Sequence, residues 1–367
     1  MQNTPWNHVA TRAAFGQLDR MRQWRGALFD AAGFAPVESA YRVVHEEPGL
    51  RLRRYGDEHA GGPAMLIVPA PIKRPYIWDL APSVSVVRQC LAQGMRVYLA
   101  EWAAIGDDEQ GFGLCDYGNR LLHACIERIE ADCGETACVM AGHSLGGILA
   151  TAFCCLHLER ARALILLEAP LHFDADADRI TSAVHTAPDA RAIAAAFGTV
   201  PGSFLNAASV SAAPDEFRWE PYRDFSLSIA DRDAFATHMR VLRWTHDEFA
   251  LPGHLFADVV EWLYRDDRLM RGMLDMDGQR IGPGNLLTPL LSVYDPRSSV
   301  VPPQSVVAFH EAAAGSQKKL LQYEGDVGVA LQHVGVLVGR NAHAVIWPAV
   351  FEWLSELAVL PRSRPVS

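Results

Sequence analysis

A chain of 367 residues, half of them hydrophobic, can hold one large domain or two medium ones around a sizeable core. Its formal net charge of −10 argues against a nucleic-acid partner, whose footprint is a basic face, but leaves room for a locally basic mouth that meets an anionic substrate. No apolar run approaches the roughly 18 residues of a membrane span, and the N-terminus lacks the apolar stretch of a secretory signal. The seven cysteines are odd in number and form no C-x-x-C pair. They read as free thiols of a cytoplasmic protein rather than as a disulfide framework or a zinc site. No metal and no cofactor are expected.

In chain order, Thr11 to Ala32 reads as a helix, and residues 1–55 as a helical N-terminal segment that runs into a polar stretch, RLRRYG. From Ala64 the rhythm changes. AMLIVPA is a short continuous apolar run, the mark of a strand buried on both faces. The helical SVVRQCLAQG stops at Gly94 before a second such run, MRVYLAEW. DYGNRLLHACIERIEADCG is an amphipathic helix with Leu121, Leu122, Cys125, Ile126 and Ile129 on one face. ACVMAG is a third strand, LGGILATAFCCLHL a helix, ARALILLEAP a fourth strand and LLTPLLSVYD a fifth. Strands alternating with helices imply an α/β fold with a mostly parallel central sheet covered on both faces. Residues 171–282 break the alternation with helical patterns such as FATHMRVLRWTHDEF. A structureless loop of that length is improbable. This stretch is expected to be an inserted helical cap over the carboxyl edge of a core formed by residues 56–170 and 283–367.

The third strand ends in AGHSLGG, which fits G-x-S-x-G with Gly142, Ser144 and Gly146 as its fixed points. Between a strand and a helix, this spacing makes an elbow that pushes the serine hydroxyl out at the top of the sheet. The Leu145 amide, at the helix start, would face a developing oxyanion. A second donor is expected from PAPIKRPY after the first strand; Pro69 and Pro71 have no amide hydrogen, which leaves Ile72 first and Ala70 second. A serine needs a base, and in this arrangement the base follows the last strand. Of His310, His333 and His343, the first and last fall in helical patterns, His310 reading as a surface residue. His333 lies in a loop, ALQHVGVLVG. For the acid that orients the imidazole, Asp295 is the only acid in the loop after the fifth strand.

The segment IKRPYIWDLAPSVSVVRQCLAQGMRVYLAEW and the elbow that follows resemble the polyhydroxyalkanoate synthase branch of the α/β-hydrolases, nearest to the catalytic subunit of two-subunit synthases. The likeness continues through EAPLHF, MRVLRWTHDEFALPG, YRDDRLMRGMLDMDGQRI and VVPP to HVGVLVGR, covering about residues 50–357. It implies the α/β-hydrolase fold and a thioester acyl donor, on coenzyme A or a carrier protein. It also implies that His333 is the base. Two positions depart from the family pattern. The family's nucleophile is a cysteine, here Ser144; its acid opens a D-H-x-V-P-P motif, and the corresponding residue here is Ser298, which carries no charge. An acid must then come from elsewhere: Glu168 in LLEAP, at the end of the strand after the nucleophile, or Asp295, or none, leaving a Ser-His dyad.

These readings lead to a serine acyl-transfer enzyme, a thioesterase or esterase-type hydrolase or an acyltransferase, working through an acyl-Ser144 intermediate. Lys73 and Arg74, beside the oxyanion loop, are candidates for a phosphate-bearing donor, and His143 and Trp244 for the substrate pocket. Two alternatives stand: a synthase-like polymerase, and a non-catalytic subunit that retains the fold to bind a partner. A homo-oligomer or a partner subunit is compatible with either.

Overall fold

The computed structural model describes residues 5–57, 61–103, 106, 108–174 and 178–361. Eight strands form the central sheet: β1 Tyr41–Glu47, β2 Leu50–Tyr55, β3 Ala64–Val68, β4 Arg96–Trp102, β5 Cys138–His143, β6 Ala161–Leu167, β7 Leu290–Tyr294 and β8 Lys318–Gln322. Their spatial order is β1-β2-β4-β3-β5-β6-β7-β8. The β1-β2 hairpin is antiparallel, also where β2 meets β4; every other pairing is parallel. All residues of β3 and β5 are buried, as their unbroken apolar runs require of strands covered on both sides. One apolar cluster packs the helices Leu121–Cys133 and Leu145–Leu156 against one face of the sheet. A second joins Val86–Ala92, Gly335–Val338 and Trp347–Glu356 to the other. This is the α/β-hydrolase fold. All seven cysteines are free thiols.

The first 55 residues are not one helical segment. The helix Pro5–Phe29 lies against the cap: Asp19 accepts the Ser203 amide at 2.8 Å, and the Phe15 ring packs edge-on to Phe204. Residues 41–55 instead build β1 and β2 of the sheet. The charges in RLRRY hid that strand. Arg53 is buried but bonds Glu101 at 2.8 Å and Glu38 at 2.6 Å, and Arg54 bonds Asp132 at 2.6 Å, so tertiary pairing overrides the polar pattern. KKLLQ, too polar and short to read as a strand, forms β8, an edge strand whose lysines blunt the open edge.

Residues 171–282 carry the helices Arg179–Thr186, Ala190–Phe197, Gly202–Ala212, Glu220–Ser228, Arg232–Thr245 and Gly253–Asp258. Two short antiparallel ribbons accompany them, Thr199–Val200 with Leu251–Pro252 and Leu274–Met276 with Gln279–Ile281. No single helix among the described residues is long and apolar enough to cross a membrane. His310 is buried rather than superficial: its helix, Pro303–Ala312, turns the ring toward the sheet, where Nδ1 lies 2.9 Å from the Ser292 hydroxyl. Burial there pulls its pKa down to about 4.

Candidate active site

β5 runs into the helix Leu145–Leu156 with one residue between them, Ser144, at φ 53°, ψ −131°. A non-glycine residue rarely adopts a positive φ, and the glycines around it show why the turn is so tight. A Cβ on Gly142 would lie 2.6 Å from the Gly147 Cα, and one on Gly146 would lie 2.1 Å from the Val68 carbonyl oxygen. The Ser144 amide donates to the Leu167 carbonyl at 3.1 Å, tying the elbow to β6. Leu145 is the first residue of the helix, and the first amides of a helix have no partner within it.

The strand register sets what lies beside the serine. His143 of β5 pairs with Leu167 of β6, so each strand ends one residue later in a positive-φ residue, Ser144 and Glu168, the latter at φ 47°. The Glu168 amide donates to Val293 at 2.9 Å, and its Oε1 accepts the Asp295 amide, which fixes the carboxylate between the ends of β6 and β7. The Ser298 hydroxyl lies against the same carboxylate and favours its ionised form. Burial is the larger influence and pushes the Glu168 pKa well above the usual carboxylate range.

His333 sits on the short turn Gln332–Val334. Its Nδ1 lies 3.7 Å from Glu168 Oε2, and neither atom makes a hydrogen bond to any other described residue. The gap between them is just beyond hydrogen-bonding reach. Burial lowers the His333 pKa to about 4, so the ring is neutral at pH 7. Asp295, the other acid considered, is turned away: its Oδ1 accepts from the Arg297 amide at 2.8 Å and from Arg297 Nε at 3.3 Å.

Ser144 and His333 line one cavity of about 710 Å³, roofed by the cap and shared with Ile72, Ala70, His143 and Trp244. His143 is less a substrate ligand than a brace. Its Nε2 lies 2.8 Å from the His333 carbonyl, the two rings are 4.6 Å apart, and burial keeps it uncharged. Trp244 donates its indole N–H to the Arg74 carbonyl at 2.8 Å and so holds the loop that follows β3.

Lys73 and Arg74 line the cavity, but their charges are already met within the protein, contrary to the expectation that they await a phosphate. Lys73 Nζ donates to Glu248 at 2.7 Å and to the Thr245 carbonyl at 2.9 Å, and burial lowers its pKa. Arg74 Nε bonds Asp247 at 3.3 Å while its guanidinium lies over the Phe249 ring. Both pin the loop to the cap. The N-terminal helix joins them, since Arg22 reaches the same Glu248 at 2.6 Å. Neither Arg22 nor Glu248 stood out in the sequence; only the fold brings positions 22, 73 and 248 together.

Known proteins resemble the chain in sequence and in fold. No model of a protein family matches the sequence. The chain is 28% identical over 326 residues to the poly(3-hydroxyalkanoate) polymerase subunit PhaC of Haloarcula marismortui, covering 86% of this chain and 67% of that protein. It is 25% identical over 334 residues to the Allochromatium vinosum subunit of the same name, covering 90% and 92%. The chain is thus similar to poly(3-hydroxyalkanoate) polymerase subunits over most of its length. It spans about two thirds of the length of the haloarchaeal polymerase subunits, 63% for the one from Haloferax mediterranei. Solved structures agree on the fold. A monoacylglycerol lipase of Paleococcus ferrophilus superposes with a TM-score of 0.50 at 14% identity, covering 84% of this chain and 99% of that one. An alpha/beta hydrolase fold protein from Nakamurella multipartita gives 0.51 at 17%, covering 86% and 99%.

Proposed function

We propose that this protein is an acyl-transfer enzyme that carries the acyl group of a thioester or ester on Ser144, with His333 as base and Glu168 as the acid behind it. The observation that carries this reading is the facing pair of orphan atoms, His333 Nδ1 and Glu168 Oε2, 3.7 Å apart at the edge of the cavity that holds Ser144. A neutral His333 takes the serine proton as the hydroxyl attacks the acyl carbonyl. The tetrahedral oxyanion is met by the amide of Leu145 and, from the loop after β3, by that of Ile72. His333 then returns its proton to the leaving thiolate or alkoxide, and a second nucleophile, water or an alcohol, releases the acyl group by the reverse sequence. Forming the imidazolium beside Glu168 is also what favours ionisation of that carboxylate, offsetting the burial that opposes it.

A thioester donor is what the resemblance in sequence implies, and the names of the relatives describe polymerases of hydroxyalkanoates. Those names equally favour a second reading, polymer synthesis at the same site. Against it stands the serine: an oxygen ester is a poorer acyl donor than the thioester on a cysteine, so chain elongation would slow while hydrolysis or a single transfer remains open. A fluorophosphonate probe tests the common core of both readings. Labelling of the folded protein that disappears in Ser144→Ala supports a Ser144 nucleophile. No labelling of the folded wild type refutes it and leaves the non-catalytic subunit.

A further inference from the structure

A histidine in the cavity wall, His238, is paired with an acid behind it, Asp224, and the chemistry at Ser144 uses neither. His238, on the helix Arg232–Thr245, is fully buried, and its Nδ1 lies 2.6 Å from Oδ2 of Asp224 on the helix Glu220–Ser228. Asp224 is also buried and accepts two backbone amides, Gly328 at 2.7 Å and Ala330 at 2.7 Å. A carboxylate held by that many donors acts as an acceptor, which places the proton of the imidazole on Nδ1. The opposite nitrogen, Nε2, finds no hydrogen-bond partner among the described residues. His238 lines the same cavity as Ser144 and His333, among apolar neighbours that include Phe225, Met239 and Leu242. A buried polar atom without a partner is an exception that calls for an explanation.

We infer that His238, oriented by Asp224, is a polar subsite that accepts a hydrogen bond from a hydroxyl group of the bound substrate. With Nδ1–H donated to Asp224, Nε2 is left as an acceptor, so its complement is a donor, and a hydroxyl fits beside the apolar walls. That hydroxyl belongs either to the acyl chain or to an alcohol that accepts the acyl group. The inference rests on the acyl-transfer reading for its substrate class, but the subsite is built from different residues.

The binding test uses Ser144→Ala protein, which cannot turn over the ligand. Its affinities for 3-hydroxybutyryl-coenzyme A and butyryl-coenzyme A, which differ by one hydroxyl, are measured by titration calorimetry. The hydroxylated thioester is expected to bind about tenfold more tightly, the value of one hydrogen bond to a buried acceptor. Adding His238→Asn, which keeps an amide donor toward Asp224 but has no atom at the Nε2 position, brings the ratio close to one. His238→Gln, whose amide reaches the Nε2 position, restores part of it. A residue that merely pins the 328–330 loop through Asp224 behaves the other way, tolerating Asn, failing with Gln and shifting both affinities together.

A second arm follows butyryl transfer from a butyryl ester to glycerol against water in wild type and His238→Asn. A roughly tenfold drop in that partition, with no discrimination in the first arm, assigns the hydroxyl to the acceptor. No discrimination by binding together with an unchanged partition overturns the inference. Because the binding arm needs no reaction, an absence of Ser144 labelling would defeat the acyl-transfer reading without touching the affinity ratio.

Discussion

Replacing Glu168 with glutamine tests the acid most sharply, because it changes charge while keeping shape. The amide carbonyl can still accept the Asp295 amide that now bonds Oε1, so the ends of β6 and β7 stay joined. What changes is the group facing His333 Nδ1. A carboxylate there accepts Nδ1–H and leaves Nε2 free to take the serine proton; an amide N–H donates to Nδ1 and fixes the proton on Nε2, the wrong tautomer for a base. The corresponding change in a serine-protease triad lowers turnover about 10⁴-fold, or roughly 5 kcal/mol of transition-state stabilisation.

The same substitution should act in the opposite sense on stability. Burial raises the Glu168 pKa, so between its unfolded value near 4.5 and its higher folded value the native state holds a proton that the unfolded state has released. Stability therefore falls as pH rises through that window. Glutamine removes this dependence, and Glu168→Gln is expected to melt increasingly above wild type as pH rises above 4.5. The assay is kcat/KM on a p-nitrophenyl ester together with melting curves across that range. A variant within tenfold of wild-type rate, a difference of about 1.4 kcal/mol, refutes the relocated acid.

Asp295→Asn should cost less than about tenfold in kcat/KM, since the carboxylate serves Arg297 rather than the imidazole; a loss like that of Glu168→Gln would reverse the assignment. With His333 held to a pKa of about 4 by burial, the acid limb of kcat/KM should lie well below pH 6.5, and a limb at 6.5 or above contradicts a buried neutral base. The same shift means that the unfolded state takes up a proton first as pH drops, so up to roughly 3 kcal/mol of stability is present above pH 6.5 and is lost between 6.5 and 4, which acid melts would show. Lys73→Met should slow acyl-coenzyme A and p-nitrophenyl substrates of equal chain length by the same factor, because its charge is already met by Glu248; selective loss with the coenzyme A ester would restore its expected role toward phosphate.

The parts of this site that were legible in the sequence are those fixed by local rules. The elbow has a spacing, its strand an unbroken apolar run and its helix a glycine-assisted start, and the structure reproduces all three at 138–156. The five buried strands announced themselves in the same way. The hairpin 41–55 did not, because Arg53 and Arg54 become buried only with partners at positions 38, 101 and 132, and no local pattern encodes that pairing. His310 was misread for a related reason: a helical period shows which residues share a face, not that Ser292 waits beneath. Glu168 was legible as a candidate from its place at a strand end, whereas the turning of Asp295 toward Arg297 was visible only in three dimensions. The Asp224-His238 pair left no trace in the sequence at all.

The register between β5, β6 and β7 gives the sheet edge the character of a rack with evenly spaced pegs. Neighbouring strands lie about 4.8 Å apart. Ser144 stands on one peg, Glu168 on the next, and the loop with Asp295 and Ser298 follows β7 on the third. Moving a carboxylate from the third peg to the second shifts it by one strand spacing. An imidazole arriving from outside the sheet, as His333 does, need only tilt to follow. Such a frame can lose a charged residue at one position and gain one at the next while the serine and its elbow stay where they are.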